Sequence, residues 1–188
     1  MPNLTQNINY LQPTSFKLSI DRTNYPNLEF FVQSFTHPGL MMPASELPIR
    51  RLQSIPFPGE SLTINELSAT VLLDENMESY SEMYNWIRRL QVTDMDGNQN
   101  VQRGSTLNSH ADITLSILSS HNNLTKQVRY LDAIPTSLGD IAFESTATGS
   151  EFITFQATFR FTYFELLNVN TSTGSITNSF SVSGTVGS

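Results

Sequence analysis

The 188-residue sequence contains no cysteine, little charge and no long apolar run. Without thiols the chain has neither disulfides nor thiolate metal sites, which fits synthesis in the cytoplasm. Residues 1–16 lack the basic start and apolar stretch of a secretory signal. No apolar run approaches the length that crosses a bilayer. We therefore expect a protein that is soluble where it is made.

The charges that are present are mostly acidic. Only 14% of the residues are charged, and the net charge is −7 at pH 7. A surface of that sign disfavours gripping nucleic-acid phosphates, although DNA can pass such a surface without adhering. Hydrophobic residues make up 38%, and the balance is rich in Ser, Thr, Asn and Gln. This composition suits extended structure with polar sheet faces, in one domain.

Motifs for catalysis and metal binding are also missing. There is no G-x-S-x-G, Walker loop or dinucleotide fingerprint. The segment 94–100 resembles a calcium loop, but its glycine comes too early and Ser105 stands where a glutamate is needed. His37, His110 and His121 lie in separate loops without ligand spacing. We predict a polar turn, exposed histidines, no cofactor, no metal and no enzyme.

Alternation of apolar and polar residues predicts several β-strands. We expect two hairpins, over 16–35 and over 111–133, and further strands at 49–57 and 67–73. The segment 36–48 contains three prolines and one glycine, which predict a long irregular loop. The segment 134–141 is interpreted as a turn that leads to a short strand at 141–144.

One helix is predicted, at about 75–90. Asp74 or Asn76 is placed to cap it, and basic residues stand at its end. An apolar stripe at helical spacing packs it on the sheet, and Trp86 is interpreted as a core residue rather than an exposed stacking platform. The stripe consists of Met77, Tyr80, Tyr84 and Ile87, widened by Met83, Trp86 and Leu90.

The stretch "EFITFQATFRFTYFEL" at 151–166 predicts one long two-faced strand. Its polar face contains Thr154, Gln156, Thr158, Arg160 and Thr162, and its length exceeds the usual five to six residues. Such an edge invites pairing with another chain, and a ring of copies would close it. Its predicted core residues are Phe155, Phe159, Phe161 and Tyr163.

The order of these segments resembles the tail tube proteins of contractile-tailed (T4-like) bacteriophages. The resemblance covers roughly 15–166 and rests on "HPGL", "FPGESLTINELSATVLLDE", "YNWIRRL", "VRYLDAIPTSLGDIAF" and "FQATFRFTYFEL" in that order. No single motif is diagnostic. The resemblance implies a mainly β fold, namely an antiparallel β-barrel or sandwich with one flanking α-helix at about 75–90. An N-terminal arm (1–14) and a Ser/Thr-rich tail (168–188) would flank this tail-tube-like domain (15–167).

The resemblance also implies a function, that of a virion structural protein without catalysis or cofactor. Six copies would form a ring, and rings would stack into the hollow tail tube through which phage DNA is ejected without specific binding. Tail sheath and baseplate proteins would be partners, and the tail would be assembled in the host cytoplasm. Four strands from each of six copies give a channel about 35 Å across, and an acidic lumen wall would repel phosphates.

In that family a hairpin and loop reach the neighbouring ring, and 36–66 matches them in position. The residues that the resemblance places at subunit or ring contacts are His37, Pro38, Gly39, Leu40, Arg50, Arg51, Pro58, Gly59 and Glu60. The paired arginines are more readily interpreted as a solvated face than as a salt-bridge contact with the acidic face of a neighbouring copy.

Three alternatives stay open. The arm and the Ser/Thr-rich tail depart from the pattern of the family, which would suit a tube initiator or a neck ring. A monomeric carbohydrate-binding β-sandwich also fits polar sheet faces, although the single tryptophan falls on the predicted helix. A hydrolase built around Asp140 and Glu144 has no motif to support it.

Overall fold

The structure is a computed structural model, and it describes residues 11, 13–21, 24–25, 27–28, 32–48, 54–92, 109–144, 152–169 and 176–178. Its strands pair only in antiparallel fashion. The prediction of a mainly β, antiparallel fold with one flanking helix is confirmed. The elements are β1 (Phe16–Ile20), β2 (Val32–Thr36), β3 (Leu40–Met41), β4 (Ala44–Pro48), β5 (Ser54–Pro58), β6 (Thr63–Ile64), β7 (Leu67–Leu72), α1 (Glu78–Leu90), β8 (Ala111–Leu118), β9 (Leu124–Leu138), β10 (Thr154–Arg160), β11 (Tyr163–Val169) and β12 (Ile176–Asn178).

Two sheets share the long strand β9. Sheet A has the order β1–β8–β9–β11–β12, and sheet B has the order β9–β10–β7–β2. The predicted second hairpin is the β8–β9 pair. Because β9 belongs to both sheets, it holds their inner faces together around one core.

Strand β9 changes sheets at Asp132, whose φ of 53° lies in the left-handed region. Before this residue Val128 and Tyr130 are buried, and after it Ala133 and Pro135 are buried, so the alternation shifts by one. Such a bulge adds a residue to one strand and bends it, and aspartate tolerates this conformation better than most residues. The register of β8 against β9 shifts at the same place.

The chain from 154 to 169 changes sheets beside the same point. Strand β10 ends at Arg160 in sheet B, and β11 starts at Tyr163 in sheet A. The backbone N–H of Thr162 donates to the carbonyl oxygen of Leu131 at 3.0 Å and holds this corner. The prediction of a single strand across 151–166 is therefore wrong, because corners between packed sheets require strands to bend.

The corner also changes which residues face the core. Phe155 and Phe159 are 1% exposed, and Phe161 is half-buried against the core. Tyr163 is 46% exposed, so its placement in the core is wrong. After the bend Phe164 packs against the core instead.

Helix α1 packs on the inner side of sheet B. The Tyr80 ring meets Phe155 with centroids 5.4 Å apart, and Trp86 meets Phe159 at 5.9 Å. Trp86 is fully buried, and its Nε1–H donates to the carbonyl oxygen of Ser109 at 3.1 Å. The prediction that Trp86 is a core residue is confirmed.

Asp74 caps the helix, as the sequence predicts. Its carboxylate accepts hydrogen bonds from the backbone N–H groups of Glu78 and Ser79, at 3.0 and 3.2 Å. The Ser79 hydroxyl also donates to Asp74, at 2.9 Å. Burial by itself raises the pKa of Asp74, and these hydrogen bonds lower it, so that the net shift in pKa is downward.

Other local predictions are wrong. Strand β1 pairs with β8 and β2 pairs with β7, so 16–35 is not a hairpin. Residues 134–138 belong to β9 rather than to a turn, because Pro135 lies on the outer strand of sheet B, where a missing N–H costs little. Residues 141–144 form no strand. The calcium-like segment (94–100) lies outside the described residues, since the structure does not describe 93–108.

Candidate assembly surfaces

Strands β2 and β7 continue beyond sheet B as a two-stranded projection, here called the ribbon (residues 37–66, with 49–53 outside the described part). Leu40 pairs with Ile64 in its first rung, and β4 pairs with β5 further out, with Ser45 opposite Phe57. The prediction of an irregular loop at 36–48 is wrong, since 40–41 and 44–48 are strands.

Three prolines of the ribbon share one alternation of its ladder, which explains why they are tolerated. The Gly59 N–H donates to the Pro43 carbonyl oxygen at 2.8 Å, which makes the odd-numbered rungs the hydrogen-bonded ones. Pro48, Pro56 and Pro58 all stand at even positions, where the backbone N–H points away from the partner strand. At these three positions a residue without an N–H therefore costs the ladder nothing, whereas Pro43, on a hydrogen-bonded rung, has no N–H to donate back to Gly59.

The described part of the ribbon exposes several large apolar side chains and contributes none to the buried hydrophobic core, which has no described member between Leu28 and Leu67. Strand alternation divides these side chains between the two faces of the ribbon, and exposed apolar groups on both faces indicate a site of interaction. These side chains are Leu40 (54% exposed), Met41 (64%), Met42 (56%), Ile55 (49%), Phe57 (55%) and Leu62 (53%).

His37 attaches the root of the ribbon to sheet A. Its Nδ1 lies 2.6 Å from the hydroxyl oxygen of the buried Tyr130, and its ring meets Phe164 edge-on at 5.1 Å. The next residue, Pro38, is buried. Burial lowers the pKa of His37 and raises that of Tyr130, so it disfavours the charged form of both side chains.

The structure brings seven of the predicted contact residues together in the ribbon. Pro38 is buried, whereas Leu40, Pro58 and Glu60 are exposed. Gly59 is closely packed, because a Cβ there would lie 2.1 Å from the Pro43 carbonyl oxygen. His37 and Gly39 stand at the root. The two arginines, at 50 and 51, lie outside the described residues.

The residues that sequence reasoning missed are the apolar ones: Met41, Met42, Ile55, Phe57 and Leu62. A signal for two of them was present in "SIPFP" (54–58), where apolar residues alternate with prolines. That spacing is typical of a strand whose prolines occupy the non-hydrogen-bonded positions.

Sheet B has two open edges. Strand β2 forms one border and residues 134–138 of β9 form the other, and neither pairs with a further strand among the described residues. Unpaired backbone groups on both borders are a template for pairing with other chains. A sheet with one open edge at each end can be joined head to tail into a closed ring.

Within the described part of the chain, no group of three or more His, Asp or Glu residues is placed to hold a metal ion. None of the described helices has the length and apolarity that spanning a bilayer requires.

The sequence matches no known protein family and no curated protein. Solved structures do match. The tube–sheath complex of an extracellular contractile injection system (PVC, extended state) is similar at a TM-score of 0.61 and 17% identity, over 86% of this chain and 95% of that chain. A chain of the sheath/tube terminator of the same system matches at a TM-score of 0.62 and 17% identity, over 85% of this chain and 99% of that chain. A chain of the anti-feeding prophage baseplate matches at a TM-score of 0.58 and 11% identity, over 82% of this chain and 92% of that chain.

At these identities the likeness establishes the fold. The chain has the tail-tube fold that is found in contractile injection systems, over most of its own length and nearly all of theirs. The likeness does not single out the tubes of T4-like bacteriophages.

Proposed function

We propose that this chain is a structural subunit of the tube of a contractile tail or injection apparatus. Copies form rings, six to a ring, and the rings stack into a hollow tube. The tail-tube fold supports this function, and the observation that carries it is the exposed apolar ribbon, which has no partner within the described chain. The role is one of assembly, without catalysis.

The direction of the ribbon supports stacking. It prolongs β2 and β7, so it runs on along the strand direction of sheet B. Strands in a closed barrel tilt by about 35–45° from its axis. A hairpin that continues past the end of such strands leaves the ring through its upper or lower face. The ribbon is therefore placed to bury Met41, Ile55 and Phe57 against the next ring.

The open edges support ring formation. We propose that β2 of one copy pairs with residues 134–138 of the next, so that the four strands of sheet B repeat around the ring. Six copies give about 24 strands and a channel about 35 Å across, wide enough for a DNA duplex or for an extended or small folded polypeptide.

The matching structures suggest partners by analogy. They come from complexes described as sheath–tube, baseplate and tube terminator. We propose that this chain likewise contacts a sheath outside the tube and a baseplate at its end, in a particle assembled in the host cytoplasm. In a phage tail, the cargo is the genome. Because the terminator matches as well as the tube does, a ring at one end of the tube is the second candidate.

The rival functions have less support. Trp86 is fully buried, so it is not available to stack on a sugar in a carbohydrate-binding site. Asp140 and Glu144 are both exposed in an irregular segment, whereas a carboxylic acid that serves as a general acid lies in an apolar pocket.

A pair of ribbon substitutions tests the proposal. We expect the wild-type protein to form rings and tubes by negative-stain microscopy and light scattering over a concentration series. The double variant Ile55→Ser/Phe57→Ser should form rings that do not stack, with an unchanged melting temperature. Phe143→Ser, at a 69% exposed position away from the ribbon, is the control and should stack normally. A wild type without rings, or a double variant with normal tubes, would contradict the proposal.

A further inference from the structure

The outer face of sheet B is covered by small hydroxyl groups. In β10 the residues that alternate with buried Phe155 and Phe159 point outward, and their cross-strand partners in β7 and β2 do the same. This surface, here called the hydroxyl face, includes Ser34, Thr36, Ser68, Thr70, Thr154 and Thr158. By the same register Gln156, Leu72 and Ile134 also point outward among them.

The hydroxyl face carries almost no charge. Its described charged side chains are Arg160 and Glu66, which pair at 3.9 Å and are 69% and 51% exposed. The two cancel, although the whole chain has a net charge of −7. Among the described residues, this face therefore adds nothing to the negative charge of the chain, whereas the resemblance implied an acidic lumen wall.

The outer face of sheet A is different in character. Arg129 forms an ion pair with Asp112 at 2.5 Å, and Glu165 lies opposite Arg129 on β11. Lys17 adds a further charge on β1, and the exposed Ile176 of β12 interrupts the face with an apolar side chain. This face is mixed, with fixed charges of both signs.

The layers of the molecule place the hydroxyl face on a free side. Helix α1 contacts the inner face of sheet B through Tyr80 and Trp86, and sheet A meets the same inner face through Tyr130, whose ring lies 6.0 Å from Phe35. The helix and sheet A therefore both lie on one side of sheet B. When copies join through the edges of sheet B, its hydroxyl face forms one continuous wall.

We infer that the hydroxyl face lines the channel of the assembled tube as an electrically neutral wall, which lets cargo pass regardless of the sign of its charge. This inference rests on the proposed function. A wall of one sign concentrates counter-ions and attracts or repels a charged polymer over about 10 Å at moderate salt. Hydroxyl groups hold water by hydrogen bonds and provide neither a long-range field nor an apolar surface to which cargo would adhere.

The absence of cysteine from the chain allows a direct test. Thr158→Cys places a thiol on the hydroxyl face, and Ser116→Cys places a matched thiol on the outer face of sheet A; both positions are half-buried in mid-strand. Assembled tubes and dissociated subunits are treated with small cationic and anionic maleimides at low and high salt. A maleimide linked to a globular protein of about 500 residues, about 60 Å across and too wide for the channel, reports access from outside.

In tubes, we expect the thiol at position 158 to react with both small reagents at rates within about twofold of each other, independent of salt, and not with the large reagent. The thiol at position 116 should react with the large reagent in tubes, and both thiols should react with it in dissociated subunits.

Reaction of the large reagent at 158 in intact tubes would overturn the assignment of the face. A tenfold preference for the cationic reagent at low salt would overturn its neutrality. Failure to form any particle would overturn the proposed function itself, which separates the two results.

Discussion

The backbone N–H of Gly59 donates a hydrogen bond to the carbonyl oxygen of Pro43 at 2.8 Å, in the middle of the ribbon. The two backbones approach so closely that a Cβ on Gly59 would lie 2.1 Å from that oxygen. The course of the ribbon thus depends on a missing side chain at a point that touches no part of the core.

Gly59→Ala should consequently damage assembly without damaging the fold. The clash forces the ribbon strands apart and displaces Phe57, so we expect loss of stacked tubes in negative stain. The melting temperature should change by no more than about 2 °C, because no core contact is altered. Gly39→Ala is the matched control, since a Cβ there meets only the Asn65 side chain at 3.5 Å. Equal stacking by the two variants would show that the ribbon does not join the rings.

Neighbouring positions on β10 should respond in opposite ways to a charge. Phe159 is 1% exposed, so Phe159→Asp buries an uncompensated carboxylate and should abolish folding. Thr158 faces away from the core, and Thr158→Asp should leave a folded subunit. Circular dichroism with thermal melts distinguishes the two. Similar behaviour of both variants would mean that the faces of sheet B are assigned the wrong way round.

Removal of the helix cap should cost a modest amount of stability at neutral pH. Asp74→Ala is expected to lower the free energy of unfolding by about 1 kcal/mol. Hydrogen bonds depress the pKa of the folded-state carboxyl, so its contribution is present above the unfolded-state pKa of about 3.9 and is lost as the pH falls through the lower folded value. The difference in the free energy of unfolding between wild type and Asp74→Ala should therefore become smaller in acid. Glu75→Ala, at an exposed neighbour, should show no such gap.

The His37–Tyr130 contact predicts a second dependence on pH. Burial lowers the pKa of folded His37, so its contribution is complete above the unfolded value of about 6.5 and is lost as the pH falls through the lower folded value. The melting temperature should drop below pH 6.5 more steeply in wild type than in His37→Gln. His121→Gln, in an exposed turn, should follow the wild type. Parallel curves for all three proteins would rule out His37 as the titrating group.

The sequence predicted individual elements better than their partners. Alternation correctly placed the core residues of β7, β8 and the first part of β10, and Asp74 marked the start of the helix, because these signals are local. Pairing of β1 with β8 depends on contacts far apart in the chain, which alternation does not encode. The bends at Asp132 and Thr162 were missed because apolar residues stand in both phases of the alternation there, Tyr130 beside Leu131 and Tyr163 beside Phe164, so the sequence does not show where the burial pattern shifts.

The candidate surface was only partly visible from the sequence. The resemblance located the ribbon within 36–66, but its prolines were interpreted as breaking regular structure. Proline breaks a ladder only at a position whose backbone N–H would bond to the partner strand. In the ribbon, the Gly59–Pro43 bond decides whether those positions are the odd-numbered or the even-numbered ones. Exposure of Met41 and Phe57 also could not be foreseen, because apolar residues in a strand normally indicate a core.

The central claim is that this chain builds a hollow tube, and end-on images of purified wild-type protein by cryo-electron microscopy test it most directly. The predicted result is a six-fold ring with an open channel about 35 Å across, of mass about 127 kDa, six times the 21.1 kDa of one chain. A monomer at every concentration, or a particle without a central channel, would contradict the account.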